Sequence, residues 1–208
     1  MNNVYFFGDG KADGSATDKN LLGGKGANLA EMTHLGIPVP PGFTITTKVC
    51  RHYMKKDSYP NNLESQVLSS LNQVENIMGQ TFGDTENPLL VSIRSGARQS
   101  MPGMMETILN VGLTVKTIPG LIKSSLDERF VYDAYRRLIT MYADVVMEKA
   151  AGIEPLENEG IRWKLEAIME SMKNSENVKT DGELSANNLK ELCNIYKSII
   201  KESFNCEF

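Results

Sequence analysis

The first residues whose chemistry and spacing could bind a ligand are Gly23-Gly24-Lys25-Gly26. Glycines let the backbone approach a ligand closely, and the N-terminus of the helix that follows presents unpaired N–H groups suited to phosphate. Lys25 would add a full positive charge beside them. A tight turn between a strand and a helix, with Lys25 in solvent, explains the same residues. The segment is not a Walker A loop, because Gly26 stands where Ser or Thr is required.

Arg94 is the second candidate, because it ends a predicted strand at residues 89–94 and precedes a loop of small residues at 95–105. A guanidinium leaving a buried strand is costly unless an anion meets it, and its planar fork suits phosphate oxygens. The loop is of the kind that covers a ligand. An ion pair between Arg94 and a local Asp or Glu is the alternative. The spacing of Met101, Met104 and Met105 does not by itself make a binding element.

Other reactive side chains give weaker signals. We expect His34 and His52 to be surface or packing residues, and no Asp/Glu/His cluster has the spacing of a metal site. The three cysteines are far apart and lack a C-x-x-C pair, which favours a reducing compartment and predicts neither a disulfide framework nor a zinc site.

Composition restricts the partners and the compartment. The chain has 208 residues, with 22 Lys+Arg against 26 Asp+Glu and a formal net charge of -4. No basic cluster reaches the density of a nucleic-acid footprint, so we expect neither nucleic-acid nor membrane binding. Without a signal peptide or a long apolar run, the expected location is cytoplasmic, although an organelle stays open.

Periodicity and turn residues predict an α+β fold in two parts. Residues 1–112 mix short strands (4–7, 43–47 and 89–94) with helices at 27–35 and 61–78. Residues 113–208 are all-helical, with apolar stripes that begin at Val131, Ile161 and Leu189. Asp133 and Arg137 should pair, and Ser185 should cap the last helix.

Taken together, several stretches closely resemble the N-terminal part of the pyruvate, phosphate dikinase family. The most specific stretch is NPLLVSIRSGARQSMPGMMETILN at residues 87–110. The other matching stretches are residues 4–10, 21–32, 36–47, 132–138 and 189–192. The phosphoenolpyruvate synthases share the G-G-K and V-x-x-R-S elements but have a different loop after the Arg, so the dikinases are favoured.

The resemblance implies the first lobe of an ATP-grasp nucleotide-binding domain with an all-helical insertion. It implies that Lys25 and Arg94 contact the nucleotide phosphates. It also implies that the loop from Gly96 to Met104 closes over ATP, a loop whose members are Gly96, Ala97, Arg98, Gln99, Ser100, Met101, Pro102, Gly103 and Met104. The family interconverts ATP, phosphate and pyruvate with AMP, pyrophosphate and phosphoenolpyruvate, through a phosphohistidine and with Mg²⁺ at the nucleotide step.

The departures from the family pattern define what this chain should lack. Neither His34 nor His52 lies in the Ser-His-Ala-like setting of the phosphorylated histidine, and the acidic metal ligands of the second ATP-grasp half have no counterpart. We therefore expect a piece with no catalytic residue and no metal ligand of its own. Its partners would be ATP or AMP and the remaining domains of a longer polypeptide, which would be a homodimer. The alternatives are a non-catalytic nucleotide-binding or regulatory module, and a phosphoenolpyruvate synthase relative.

Overall fold

Helices and strands are mixed in the computed structural model, which describes residues 2–96, 107–156 and 159–208. The α+β class is thus confirmed. The described residues form two compact units, one from 2–82 and 94–96 and the other from 83–93, 107–156 and 159–208. This grouping differs from the predicted division at residue 112. Residues 83–93 and 107–112 group with the helices because Leu90, Ile108 and Val111 contribute to the helical core.

The first unit contains a three-stranded antiparallel sheet in the order β2-β1-β3. Its strands are β1 (Val4–Gly8), β2 (Lys11–Ala12) and β3 (Gly42–Ile45). In the register of β1 and β3, Phe7 lies opposite Gly42. A Cβ at position 42 would lie 2.7 Å from Phe7 Cζ, so only glycine lets the ring cross that strand.

Three helices complete this unit. They are α1 (Lys19–His34), α2 (Thr47–Lys56) and α3 (Leu63–Met78), and the short β4 (Thr81–Phe82) follows. The helix predicted at 61–78 is confirmed as α3, which ends at the left-handed Gly79. By contrast, α1 begins eight residues earlier than the predicted 27–35. Val4, Val49 and Leu63 form a small core that joins the sheet to α2 and α3.

The second unit is mainly helical. It begins with β5 (Pro88–Leu89), β6 (Val91–Arg94, whose last residue groups with the first unit) and β7 (Thr107–Val111), and β7 pairs with β6. Then come α4 (Ile118–Ser125) and α5 (Glu128–Tyr142), which runs through a π-helical turn (Ala143–Met147) into α6 (Glu148–Ala150). The last helices are α7 (Ile161–Ser175) and α8 (Ala186–Phe204).

The core of this unit lies where α5 and α8 pack together, and it includes the fully buried Ile139, Leu165 and Leu189. Two predicted local interactions are confirmed. Arg137 Nε donates to Asp133 Oδ2 at 2.9 Å, and Ser185 Oγ accepts from the N–H of Asn188 at 3.2 Å. In the part of the chain that the structure describes, no helix is both long and apolar enough to cross a bilayer.

Candidate functional site

Gly23 interrupts α1 and restarts it. Its dihedral angles, φ 73° and ψ 171°, are non-helical and lie in a region that essentially only glycine occupies. The helix therefore begins again at Gly24, and Lys25 lies in the first turn of the new segment. The first N–H groups of a helical segment lack acceptors within it, and its N-terminus carries a positive partial charge. A helix start at the glycine segment was predicted, but a helical turn precedes it rather than a strand.

The carbonyl oxygens before the break have partners of their own. Asn20 O, which would face the N–H of residue 24 in a regular helix, accepts a hydrogen bond from Thr47 Oγ1 at 2.8 Å. Thr47 is the first residue of α2, so this bond joins the start of α2 to the first turn of α1. The sequence carries no local signal for this contact, because 27 residues separate the two partners.

Gly26 brings the restarted helix close to the sheet. A Cβ at this position would lie 2.8 Å from both Cγ2 and Oγ1 of Thr44 on β3, and 3.2 Å from Leu22 Cβ. These separations are shorter than an ordinary contact between heavy atoms. The absence of a side chain at Gly26 therefore lets α1 pack closely against β3, and this close packing positions the backbone beside Lys25. Thr44 is a supporting residue that sequence reasoning missed, although it lies in the matching stretch at 36–47.

Lys25 and Arg94 are both available to an anion. The Lys25 residue is half-buried on α1, and Arg94 is exposed at the end of β6. Neither has an ion pair with any acid among residues 2–96, 107–156 and 159–208. The alternative interpretation, in which a local carboxylate pairs with Arg94, thus finds no partner there.

Gly96 approaches the break in α1. A Cβ at Gly96 would lie 3.8 Å from Leu22 O, the carbonyl immediately before Gly23. The structure therefore brings the start of the loop behind Arg94 to the glycine segment that bears Lys25. The other predicted loop residues, Ala97, Arg98, Gln99, Ser100, Met101, Pro102, Gly103 and Met104, lie outside the described residues. Contact of Lys25 and Arg94 with one ligand stays a prediction.

Neither metal-binding nor histidine chemistry is assigned to this site. The described residues contain no group of three or more His, Cys, Asp or Glu side chains that could hold a metal ion. These residues therefore do not provide a set of such ligands for Mg²⁺. His34 is exposed, and its Nε2 lies 3.2 Å from Ala12 O, which agrees with the expected surface role.

The family model and the similar proteins found for this chain carry the same name. Residues 19–76 match the family model described as pyruvate phosphate dikinase, AMP/ATP-binding domain. Similar proteins include the pyruvate, phosphate dikinase of Clostridium symbiosum, 46% identical over 94% of this chain and 21% of the relative. The Rhizobium meliloti (strain 1021) enzyme is 46% identical over 99% of this chain and 22% of its own length. Pyruvate, phosphate dikinase 2 of Oryza sativa subsp. japonica is 44% identical over 99% and 22%. The chain thus spans about a fifth of the length of these relatives.

Proposed function

Because this chain matches the N-terminal region of pyruvate, phosphate dikinases along nearly its whole length, we propose that it forms the first lobe of their ATP-grasp nucleotide-binding domain. The proposed domains are this lobe at residues 1–112 and a helical subdomain at 113–208. The single observation that supports the proposal most is that Gly96 lies near the break in α1: a Cβ at Gly96 would be 3.8 Å from Leu22 O, the carbonyl just before the glycine segment that bears Lys25.

The ligand of this site is ATP or AMP, bound through its phosphate groups. Lys25 acts as a point charge beside the first turn of the restarted helix, where N–H groups and the helix dipole also favour an anion. Arg94 holds phosphate oxygens through two parallel N–H donors. The loop from Gly96 to Met104 closes over the nucleotide. Phosphoryl transfer needs little from a protein beyond such positioning and charge neutralisation.

The complete reaction requires a longer polypeptide. In it, ATP, phosphate and pyruvate are interconverted with AMP, pyrophosphate and phosphoenolpyruvate through a phosphohistidine on another domain. Mg²⁺ serves the nucleotide step, with ligands from the second lobe. The full-length protein is a homodimer. The 208-residue chain alone has no turnover and binds ATP weakly at best, because it supplies neither the histidine nor the pyruvate site.

The decisive experiment is Arg94→Ala in the full-length protein, with the two half-reactions measured separately. ATP-dependent phosphorylation of the carrier histidine should fall by at least about a hundred-fold, as is common when a group that neutralises phosphate charge is removed. Phosphoryl exchange between pyruvate and phosphoenolpyruvate should be largely unchanged. Lys164→Ala, which removes an exposed cation on α7, is the matched control. Equal loss of both half-reactions would exclude the proposed role of Arg94.

A second experiment tests the chain by itself. Purified 208-residue protein is incubated with ATP, phosphate, pyruvate and Mg²⁺, and phosphoenolpyruvate is assayed. No product should form. Measurable phosphoenolpyruvate would show that the chain holds a phosphoryl acceptor we have not identified.

A further inference from the structure

Helix α2 carries an unusual concentration of positive charge. Its ten residues, Thr47–Lys56, include Lys48, Arg51, Lys55 and Lys56 and contain no acid. The helix therefore has a charge of +4, and because the whole chain has a net charge of -4, the rest of the chain carries -8. A local concentration of one sign of charge in an otherwise acidic protein is the electrostatic feature that attracts an oppositely charged partner.

Three of these cations share one face of α2. Lys48, Arg51 and Lys55 stand at i, i+3 and i+7, which places them in one row about 10 Å long. All three side chains belong to exposed residues, and Val49 is the only residue of α2 that is fully buried. We name this row of Lys48, Arg51 and Lys55 the basic face of α2.

The protein itself does not neutralise the basic face. None of its three cations has an ion pair or a hydrogen bond with another residue in the described parts of the chain. The helix dipole does not explain Lys48 either, because Lys48 lies in the first turn, where a cation is unfavourable and where α2 has no acid. Arg51 also repels Lys48 and Lys55, its neighbours one turn away.

The region next to the basic face argues against single-stranded nucleic acid as the partner. Such ligands require aromatic rings on which bases can stack, and a cationic groove that follows several phosphates. The exposed Tyr53 and Tyr59 instead stack on each other, with ring centroids 4.9 Å apart. A row of about 10 Å is also short for a nucleic-acid backbone, whereas it equals the length over which carboxylates at i, i+3 and i+7 are displayed by a helix.

We propose that the basic face of α2 is a docking surface for an acidic protein segment that presents a row of carboxylates. Lys48, Arg51 and Lys55 would pair with those carboxylates, and the mutual repulsion of the three cations would be relieved in the complex. The electrostatic attraction would raise the association rate above that of an uncharged surface, and it would weaken as salt is added.

The test measures binding of labelled poly-L-glutamate to the 208-residue chain by fluorescence anisotropy at low and at physiological salt. The chain should bind poly-L-glutamate, with an affinity that falls as salt is added. The triple variant Lys48→Gln/Arg51→Gln/Lys55→Gln should bind at least about ten-fold more weakly. The control variant Lys116→Gln/Lys164→Gln/Lys179→Gln removes three exposed cations from the second unit and should bind as the parent does. Circular dichroism checks that both variants remain folded.

A charge reversal and two other ligands complete the design. The variant Lys48→Glu/Arg51→Glu/Lys55→Glu should lose poly-L-glutamate and acquire affinity for poly-L-lysine. Oligouridylate and phosphatidylserine vesicles are measured in parallel. Tighter binding of either one than of poly-L-glutamate would overturn the proposal, and so would equal losses in the triple and control variants or no binding of poly-L-glutamate at all.

Discussion

The close approach of α1 to β3 makes a quantitative prediction about Gly26→Ala. The new Cβ would lie 2.8 Å from Thr44 Cγ2 and Oγ1, where an optimal contact between carbon atoms is about 3.5–4.0 Å. Overpacking of this kind costs about 1–3 kcal/mol, while alanine in place of glycine within a helix returns about 1 kcal/mol. We therefore expect Gly26→Ala to lower the free energy of unfolding by up to about 2 kcal/mol.

Thr44→Ala removes the two atoms nearest to the new Cβ and leaves Leu22 Cβ at 3.2 Å. In a Thr44→Ala background, Gly26→Ala should therefore be neutral or stabilising, and the coupling free energy between the two substitutions should be about 1–2 kcal/mol. The four proteins of this cycle are compared by hydrogen exchange at the amides of β1 and β3, which reports the opening of the first unit itself.

Asn28→Ala provides the control, because Asn28 is exposed on the same helix. Its effect should add to that of Thr44→Ala within about 0.3–0.5 kcal/mol, as expected for independent sites. If Gly26→Ala and Thr44→Ala are equally additive, then Gly26 is not a packing residue, and our account of how Lys25 is positioned fails.

Three further predictions concern buried and strained residues of the second unit. Burial raises the pKa of Cys193 to about 12, so only Cys50 and Cys206 should react with a thiol reagent before unfolding; three fast thiols would contradict this. Burial also raises the pKa of Tyr135 from 10.0 to about 12, because the folded state favours the neutral phenol. The free energy of unfolding should therefore hold its full value below pH 10 and fall as the pH rises towards 12. Tyr135→Phe should make this fall shallower in urea unfolding measured across that pH range. Leu126 is exposed and has a left-handed backbone, φ 56°, which glycine adopts without strain. Leu126→Gly should therefore raise the free energy of unfolding, measured by calorimetry, by about 0.5–1 kcal/mol. A lower free energy of unfolding would exclude strain at this residue.

Elements with strong local signals were predictable from the sequence. The apolar repeat from Leu63 to Met78 gave α3 to within two residues at its start, and Gly79 marked its end. Ser185 was recognised as the cap of α8, and Asp133 with Arg137 as a pair one turn apart. In each case the information lies within a few residues of the feature, which is the range over which capping and helical periodicity act.

Features that depend on distant residues were not predictable. Nothing near Asn20 indicates that its carbonyl accepts a hydrogen bond from the Thr47 hydroxyl. Nothing near Gly26 indicates that the side chain of Thr44 lies against it. Asp181 is a third example: its carboxylate lies 3.6 Å from the guanidinium of the buried Arg136, a residue 45 positions earlier in the chain. Such contacts follow from the tertiary fold, and pattern reasoning along the chain has no access to them.

The glycine segment shows how different requirements can meet in four residues. Gly23 is dictated by its backbone angles, and Gly26 by the distance to Thr44. The two requirements are independent: a D-residue could satisfy the angles at position 23, whereas any side chain added at position 26 would crowd Thr44. Between them, Lys25 is the one residue of the segment with a functional group. If the segment served only to shape the backbone, any polar residue could stand at position 25. Binding of an anion would account for the lysine at this position. On this reasoning Lys25→Gln should weaken nucleotide binding in the full-length protein without lowering the stability of the first unit, whereas Gly26→Ala should affect both.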